Sequence, residues 1–166
     1  NDFIFAPTVY EDRKEVMFRH IELIQRLWSG ETFMMPGVGD HEVPVRLLPK
    51  PLQRRLPIWI TSAGSPETWI RAGEIGANIL AALIGYSFED LAERVRSYRE
   101  ARARCGYNPQ SGVISIMVRT FVGQSNSAVK EQVRAPFTQY LHSYFKQYDN
   151  VRVTPGSDFS NSEAAM

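Results

Sequence analysis

Two periods of apolar residues run along this chain, and the changes between them mark out its elements. From Glu11 to Trp28, the residues Met17, Ile21, Ile24, Leu27 and Trp28 recur at three- and four-residue spacing. Arg13, Lys14, Glu22, Gln25 and Arg26 fall away from that stripe. One stripe at this period predicts an amphipathic helix. Glu11 and Asp12 suit its first turn and Gly30 its end. Before it, Asn1 to Tyr10 is apolar and aromatic, holds Pro7 and lacks a helical period, so it reads as a loop. After it, Thr32 to Met35 and Glu42 to Leu48 read as short strands around the turn Gly37-Val38-Gly39-Asp40, with Pro44 marking an edge strand.

The period shortens again at Pro57 to Thr61, a β-branched and aromatic run (Ile58, Trp59, Ile60) that predicts a buried strand. Ser62, Ala63, Gly64 and Ser65 follow, four small residues in a row. Ser65 is suited to an N-cap, Pro66 to the first helical position, and Glu67 and Thr68 to the first turn. Gly76 stops this helix, and Ala77 to Leu83 is a second apolar strand. Ile84, Gly85 and Tyr86 form a loop. Ser87 with Asp90 three residues on resembles a capping box. Leu91, Val95 and Tyr98 give the next helix its stripe, and Glu93, Arg94, Arg96, Arg99 and Glu100 its solvent side, up to Gly106. Gly112 to Val122 is a nearly continuous apolar strand, with Arg119 its main exception. Ser125 to Ser127 offers caps for a last helix, Ala128 to Tyr148. Val129, Val133, Phe137, Tyr140, Leu141 and Tyr144 form its stripe, and Pro136 should kink or split it.

Strands alternating with amphipathic helices predict an α/β fold with a parallel sheet and right-handed crossovers. Three main strands are too few for a closed barrel. Where strands are parallel and barrel-like, sites gather at their C-terminal ends. Ser62 to Ser65, Leu83 to Gly85 and Arg119 to Gly123 all fall there. The first of these is a ready anion site in pattern: N–H groups at a helix start lack intrahelical partners, and the helix dipole adds positive charge. A routine strand-to-helix connection has the same composition. The stretch is neither a GxGxxG nor a Walker loop, so no nucleotide fingerprint applies.

Composition narrows the classes. The 166 residues suffice for one domain with a core, and a net charge of +1 gives no reason to expect nucleic acid or an acidic membrane surface. No run approaches the ~18 apolar residues of a membrane span, and no signal peptide is visible. The single Cys105 excludes an internal disulfide and fits a reducing, cytoplasmic setting. No metal-ligand pattern stands out. His20, beside the first stripe, reads as a partly buried structural residue, and Asp40 and His41 as a solvated turn. Arg54 and Arg55 could serve a phosphate, but solvated surface is the default. Arg119 is either an anion contact at a strand mouth or a partnered side chain. The aromatics of the last helix read as core. The chain starts at Asn1 and ends in SNSEAAM, which reads as a piece of something longer.

Three stretches carry a resemblance. NDFIFAPTVYEDRKEVMFRHIELIQRLWSGE, VRLLPKPLQRRLPIWITSAGSPETWIRAGEIGANIL and SFEDLAERVRSYREARARCGYNP are similar to the luciferase-like flavin-dependent monooxygenases. The LW-x-GE helix end, LP-x-P-x-Q, and P-x-W-I before a small-residue loop mark the superfamily. The NDF-x-x-AP-x-x-Y-x-DRKEVMF opening marks a branch found in natural-product biosynthesis. The resemblance runs over residues 1–150 and leaves 151–166 as a disordered or truncated tail. It implies a partial (β/α)8 TIM-type barrel, roughly the second half, with a small hairpin excursion. It also implies an FMN-dependent monooxygenase acting in natural-product biosynthesis. FMN, reduced by a separate reductase, is the implied cofactor, with deazaflavin confined to some branches. The flavin phosphate would lie at Ser62, Ala63, Gly64 and Ser65, with Leu83, Ile84 and Gly85 as weaker candidates. Catalytic residues would come largely from the other half of the fold. Implied partners are a small-molecule or carrier-bound substrate, synthase domains or a flavin reductase, and further copies of the chain. A non-catalytic flavin-binding relative and an inactive structural half-barrel are the alternatives.

Overall fold

The computed structural model describes residues 9–62, 64–83 and 87–149. The expected N-terminal loop up to residue 8 and the expected tail at 151–166 lie outside the described residues. The chain divides into two compact units, residues 1–57 and 58–166.

In the first unit, helix α1 runs Arg13–Trp28, two residues inside the predicted start. Gly30 takes φ +97°, the left-handed conformation that lets the chain leave a helix without a Cβ clash. Phe18 is its buried residue, while Ile24 on the predicted stripe is 45% exposed. His20 is exposed, not partly buried. Strands β1 (Phe33–Pro36) and β2 (Glu42–Val45) pair antiparallel, with Phe33 opposite Val45 and Pro36 opposite Glu42. A 3-10 turn, Val38–Asp40, joins them, closed by the Gly37 N–H donating to the His41 carbonyl at 2.7 Å. Both strands of a two-stranded ribbon are edges, which is where Pro44 is tolerated. The segment that follows β2 is tied to α1 by the Trp28 indole N–H, which donates to the Gln53 carbonyl at 2.9 Å. Arg54 and Arg55 are exposed there.

The second unit holds β3 (Trp59–Ser62), α2 (Pro66–Glu74), β4 (Asn78–Ala82), α3 (Phe88–Arg104), β5 (Ile114–Met117) and α4 (Asn126–Asp149). The three strands are parallel in the order β3-β4-β5, as the alternating pattern predicts. Ile60, Ile79 and Ala81 bury one face of the sheet, and Trp69 and Ala72 of α2 and Tyr98 and Ala101 of α3 complete the core. The other face carries Trp59, Leu80 and Met117, each 40% exposed or more.

Helices α2 and α3 approach closely because Gly73 has no side chain. A Cβ there would stand 2.6 Å from the Tyr98 carbonyl oxygen and 2.9 Å from the Ala101 Cβ. The predicted capping box is present: the Asp90 N–H donates to Ser87 Oγ at 3.1 Å, and the Ser87 N–H to Asp90 Oδ2 at 2.9 Å.

Four further expectations are corrected. Arg94 is buried rather than solvent-facing, as is Arg102. Strand β5 covers Ile114–Met117, not residues 112–122: its ladder pairs Met117 with Ala82, where β4 stops, and a strand needs a partner to continue. Helix α4 is one element across Pro136, so of the two expected effects, a kink or a split, the split does not occur. A proline removes a single N–H donor, and the remaining ladder can hold where its ring meets solvent. Finally, Phe137 and Tyr140 of the α4 aromatics are not core, each being 40% exposed, while the side chains of Phe145 and Tyr148 lie outside the described residues.

Candidate functional site

The parallel register brings the strand ends to one rim. Ser62 stands opposite Ala81, and Ala82 opposite Met117, so the residues following β3, β4 and β5 leave the sheet side by side. This is the C-terminal edge, where α/β folds place ligands.

Ser62 is the last residue of β3 and only 3% exposed. It shares the inward face with Ile60, and its hydroxyl donates to the Ser65 carbonyl at 3.5 Å, the outer limit of a hydrogen bond. It therefore braces the turn rather than opening toward solvent. Gly64 takes φ +145°, which L side chains rarely adopt, and a Cβ built on it meets nothing within 4 Å. Conformation, not crowding, requires glycine here, and the space above its backbone is open.

Ser65 is the N-cap of α2, yet its side chain makes no capping hydrogen bond. The Thr68 N–H donates instead to the Ser65 carbonyl at 3.2 Å. Pro66 has no N–H to offer. The start of α2 thus keeps its dipole, without a serine hydroxyl spent on its amides. Glu67 in the first turn supplies one negative charge of its own.

Of the remaining predicted residues, Leu83 follows β4 and its N–H donates to the Met117 carbonyl at 3.2 Å, so that amide extends the sheet. Ala63, Ile84 and Gly85 lie outside the described residues. Arg119 stands on the same rim, and its partnered reading holds. Its Nη2 donates to the Tyr140 hydroxyl, and its guanidinium lies 4.6 Å from the Tyr140 ring centre and 5.6 Å from that of Tyr144. Among the described residues, no group of three or more His, Cys, Asp or Glu is placed to hold a metal ion.

The opposite edge holds a cluster that the pattern did not reveal. The Tyr98 hydroxyl donates to the Ala77 carbonyl at 2.6 Å. Arg102 donates to the Ala77 and Asn108 carbonyls, to the Tyr98 hydroxyl and to Ser111 Oγ, and Arg99 to the Pro109 and Gly112 carbonyls. These cations gather the loop carbonyls that precede β4 and β5. Tyr98 and Arg102, four residues apart on α3, were the available signal, since that spacing puts them on one helix face.

A model of the luciferase-like monooxygenase family matches residues 10–163. The crystal structure of monooxygenase RslO1 from Streptomyces bottropensis aligns with a TM-score of 0.64 at 20% identity, covering 86% of this chain and 44% of that one. A second similar structure is a type II Baeyer-Villiger monooxygenase in complex with FMN. It is the oxygenating constituent of 3,6-diketocamphane monooxygenase from the CAM plasmid of Pseudomonas putida. It aligns with a TM-score of 0.58 at 15% identity, covering 92% of this chain and 44% of its own. No curated protein matches the chain in sequence. At these identities the likeness is one of fold: the neighbours are TIM barrels, and this chain spans less than half of their length. With the family model running over nearly all of its residues, the chain belongs to the luciferase-like monooxygenase family.

Proposed function

We propose that this chain supplies the flavin-phosphate end of an FMN-dependent monooxygenase. The observation that carries the reading is the turn at Gly64: an unobstructed backbone, at the C-terminal rim, leading into a helix start that no serine hydroxyl caps. A phosphomonoester dianion suits that place, because N–H donors and the α2 dipole favour negative charge. The residues present fit the group. Gly64, Ser65 and the first turn of α2 would hold the phosphate, Ser62 would brace the turn from beneath, and Ala63 completes the loop in sequence. Leu83 would line the rim through its side chain only, since its amide is engaged. Bound reduced FMN would supply the electrons that activate dioxygen for substrate oxidation, with a flavin reductase as their source.

A natural-product setting, with a small-molecule or carrier-bound substrate, is part of the same reading and rests on the NDFIFAPTVY opening. Titration of the chain with FMN and with riboflavin, which lacks the phosphate, tests it. A tenfold weaker response to riboflavin, about 1.4 kcal/mol, is the expected result. Equal responses would remove the phosphate site from the account.

A further inference from the structure

Three exposed arginines of this chain are answered by a carboxylate: Arg26 by Glu31, Arg104 by Glu74 and Arg134 by Glu131. Arg119 is answered differently. It stands two residues beyond Met117, the end of β5, on the rim where the strands finish. Among the described residues its partners are the Tyr140 hydroxyl and the rings of Tyr140 and Tyr144. A guanidinium carries five N–H donors and one full charge. The phenol takes a single donor, and ring contacts supply neither an acceptor nor a countercharge. These contacts do hold the side chain in place, so much of the entropy that an exposed arginine loses on gripping a ligand is lost beforehand.

Apolar groups accompany the cation. Tyr140 stacks on Phe137 with ring centres 6.2 Å apart and planes at 12°, and on Tyr144 at 6.1 Å and 30°. The three rings form a ladder along α4, and Arg119 lies at its Tyr140–Tyr144 end. The segment after β5 that carries Arg119 also exposes Phe121 and Val122. Large apolar side chains left open beside an uncompensated charge suit an amphipathic ligand better than bare solvent. A single cation matches a single negative charge, and the planar fork of arginine matches a carboxylate through two parallel hydrogen bonds. A phosphate dianion is better served by the several N–H groups of a helix start. Strands β3 and β5 stand two strand spacings apart, about 10 Å, so this place is separate from the Gly64 turn.

We infer that Arg119, held on Tyr140 and Tyr144, is the receptor for an aromatic carboxylic acid. The carboxylate takes the remaining N–H donors of the guanidinium, and the ring of the acid stacks on the α4 ladder. The inference rests on the monooxygenase reading only in making such an acid the substrate class; the binding itself needs no flavin.

The test is an NMR titration of the labelled 166-residue chain, without flavin. The probes are 2-naphthoate, its neutral counterpart 2-naphthylmethanol, and inorganic phosphate. The acid should shift the Arg119 Nε–H and the Tyr140 and Tyr144 ring resonances to saturation and leave the Gly64 amide in place. It should bind about tenfold more tightly than the alcohol, and phosphate should not displace it. Arg119→Gln should lose the preference for the acid. Because that variant also loosens α4, Tyr140→Phe is its control: it removes the same hydrogen bond but keeps the cation and the ring, and should retain the preference. Equal binding of acid and alcohol, a preference that survives Arg119→Gln or is lost in Tyr140→Phe, or displacement by phosphate would overturn the inference. A failure of FMN to shift the Gly64 amide would count against the flavin reading instead and leave this one standing.

Discussion

Gly64 is the residue on which the proposed phosphate site turns. At φ +145° with open space around its Cβ position, it permits a backbone that other residues adopt only under strain. Gly64→Ala should cost about 1–3 kcal/mol, read as a lowered denaturation midpoint, or else flip the turn and weaken the response to FMN. An alanine variant unchanged in both would mean that the conformation serves nothing. Asp90 gives a pH handle on the next rim connection. Hydrogen bonds from the Ser87 backbone and side chain hold its carboxyl below the ordinary value of 3.8. A depressed folded pKa adds stability above the unfolded value, and this is lost as pH falls through the folded one. The acid limb of the unfolding curve should therefore flatten below pH 3.8 in Asp90→Asn. Ser87→Ala should cost about 1 kcal/mol at neutral pH, measured by urea denaturation. The small residues at 62–65 and the Ser87–Asp90 spacing were legible in sequence because caps and turns obey local rules. The inward turn of Ser62 was not, because which face a strand residue takes depends on the layer that covers it.

At the scale of elements, the α2–α3 contact holds the second unit together. Gly73 sits where the Tyr98 backbone passes, so Gly73→Leu must push the helices apart. A loss of about 3 kcal/mol or more follows from overpacking at a backbone contact. Thermal unfolding would show it, and a neutral result would contradict the packing described. Strand and helix types could be read from their periods throughout, since amphipathicity is written into each segment. Lengths could not. The predicted strand over residues 112–122 ends at Met117 because its neighbour ends at Ala82. The α4 stripe reads as core in sequence and is open in the structure for the same reason: an apolar face records that a partner is needed, not that one is present. Arg94 and Arg102 were hidden differently, by the habit of placing charge outside. Arg102 is instead held by carbonyl and hydroxyl oxygens in the interior.

For the molecule as a whole, family and fold agree: parallel βα units belonging to the luciferase-like monooxygenase family, with the three strand ends on a single rim. The flavin assignment adds one claim to that frame, that a phosphate sits against the Gly64 turn and the start of α2. Amide chemical-shift mapping on labelled chain tests it most directly, because local shifts register even weak binding. FMN should move the amides of Gly64, Ser65 and Glu67 and leave those of Arg102 and Asn108 at the opposite edge in place, while riboflavin should move none of the first three. Equal shifts with both ligands, or FMN shifts that bypass the Gly64 turn, would contradict the account.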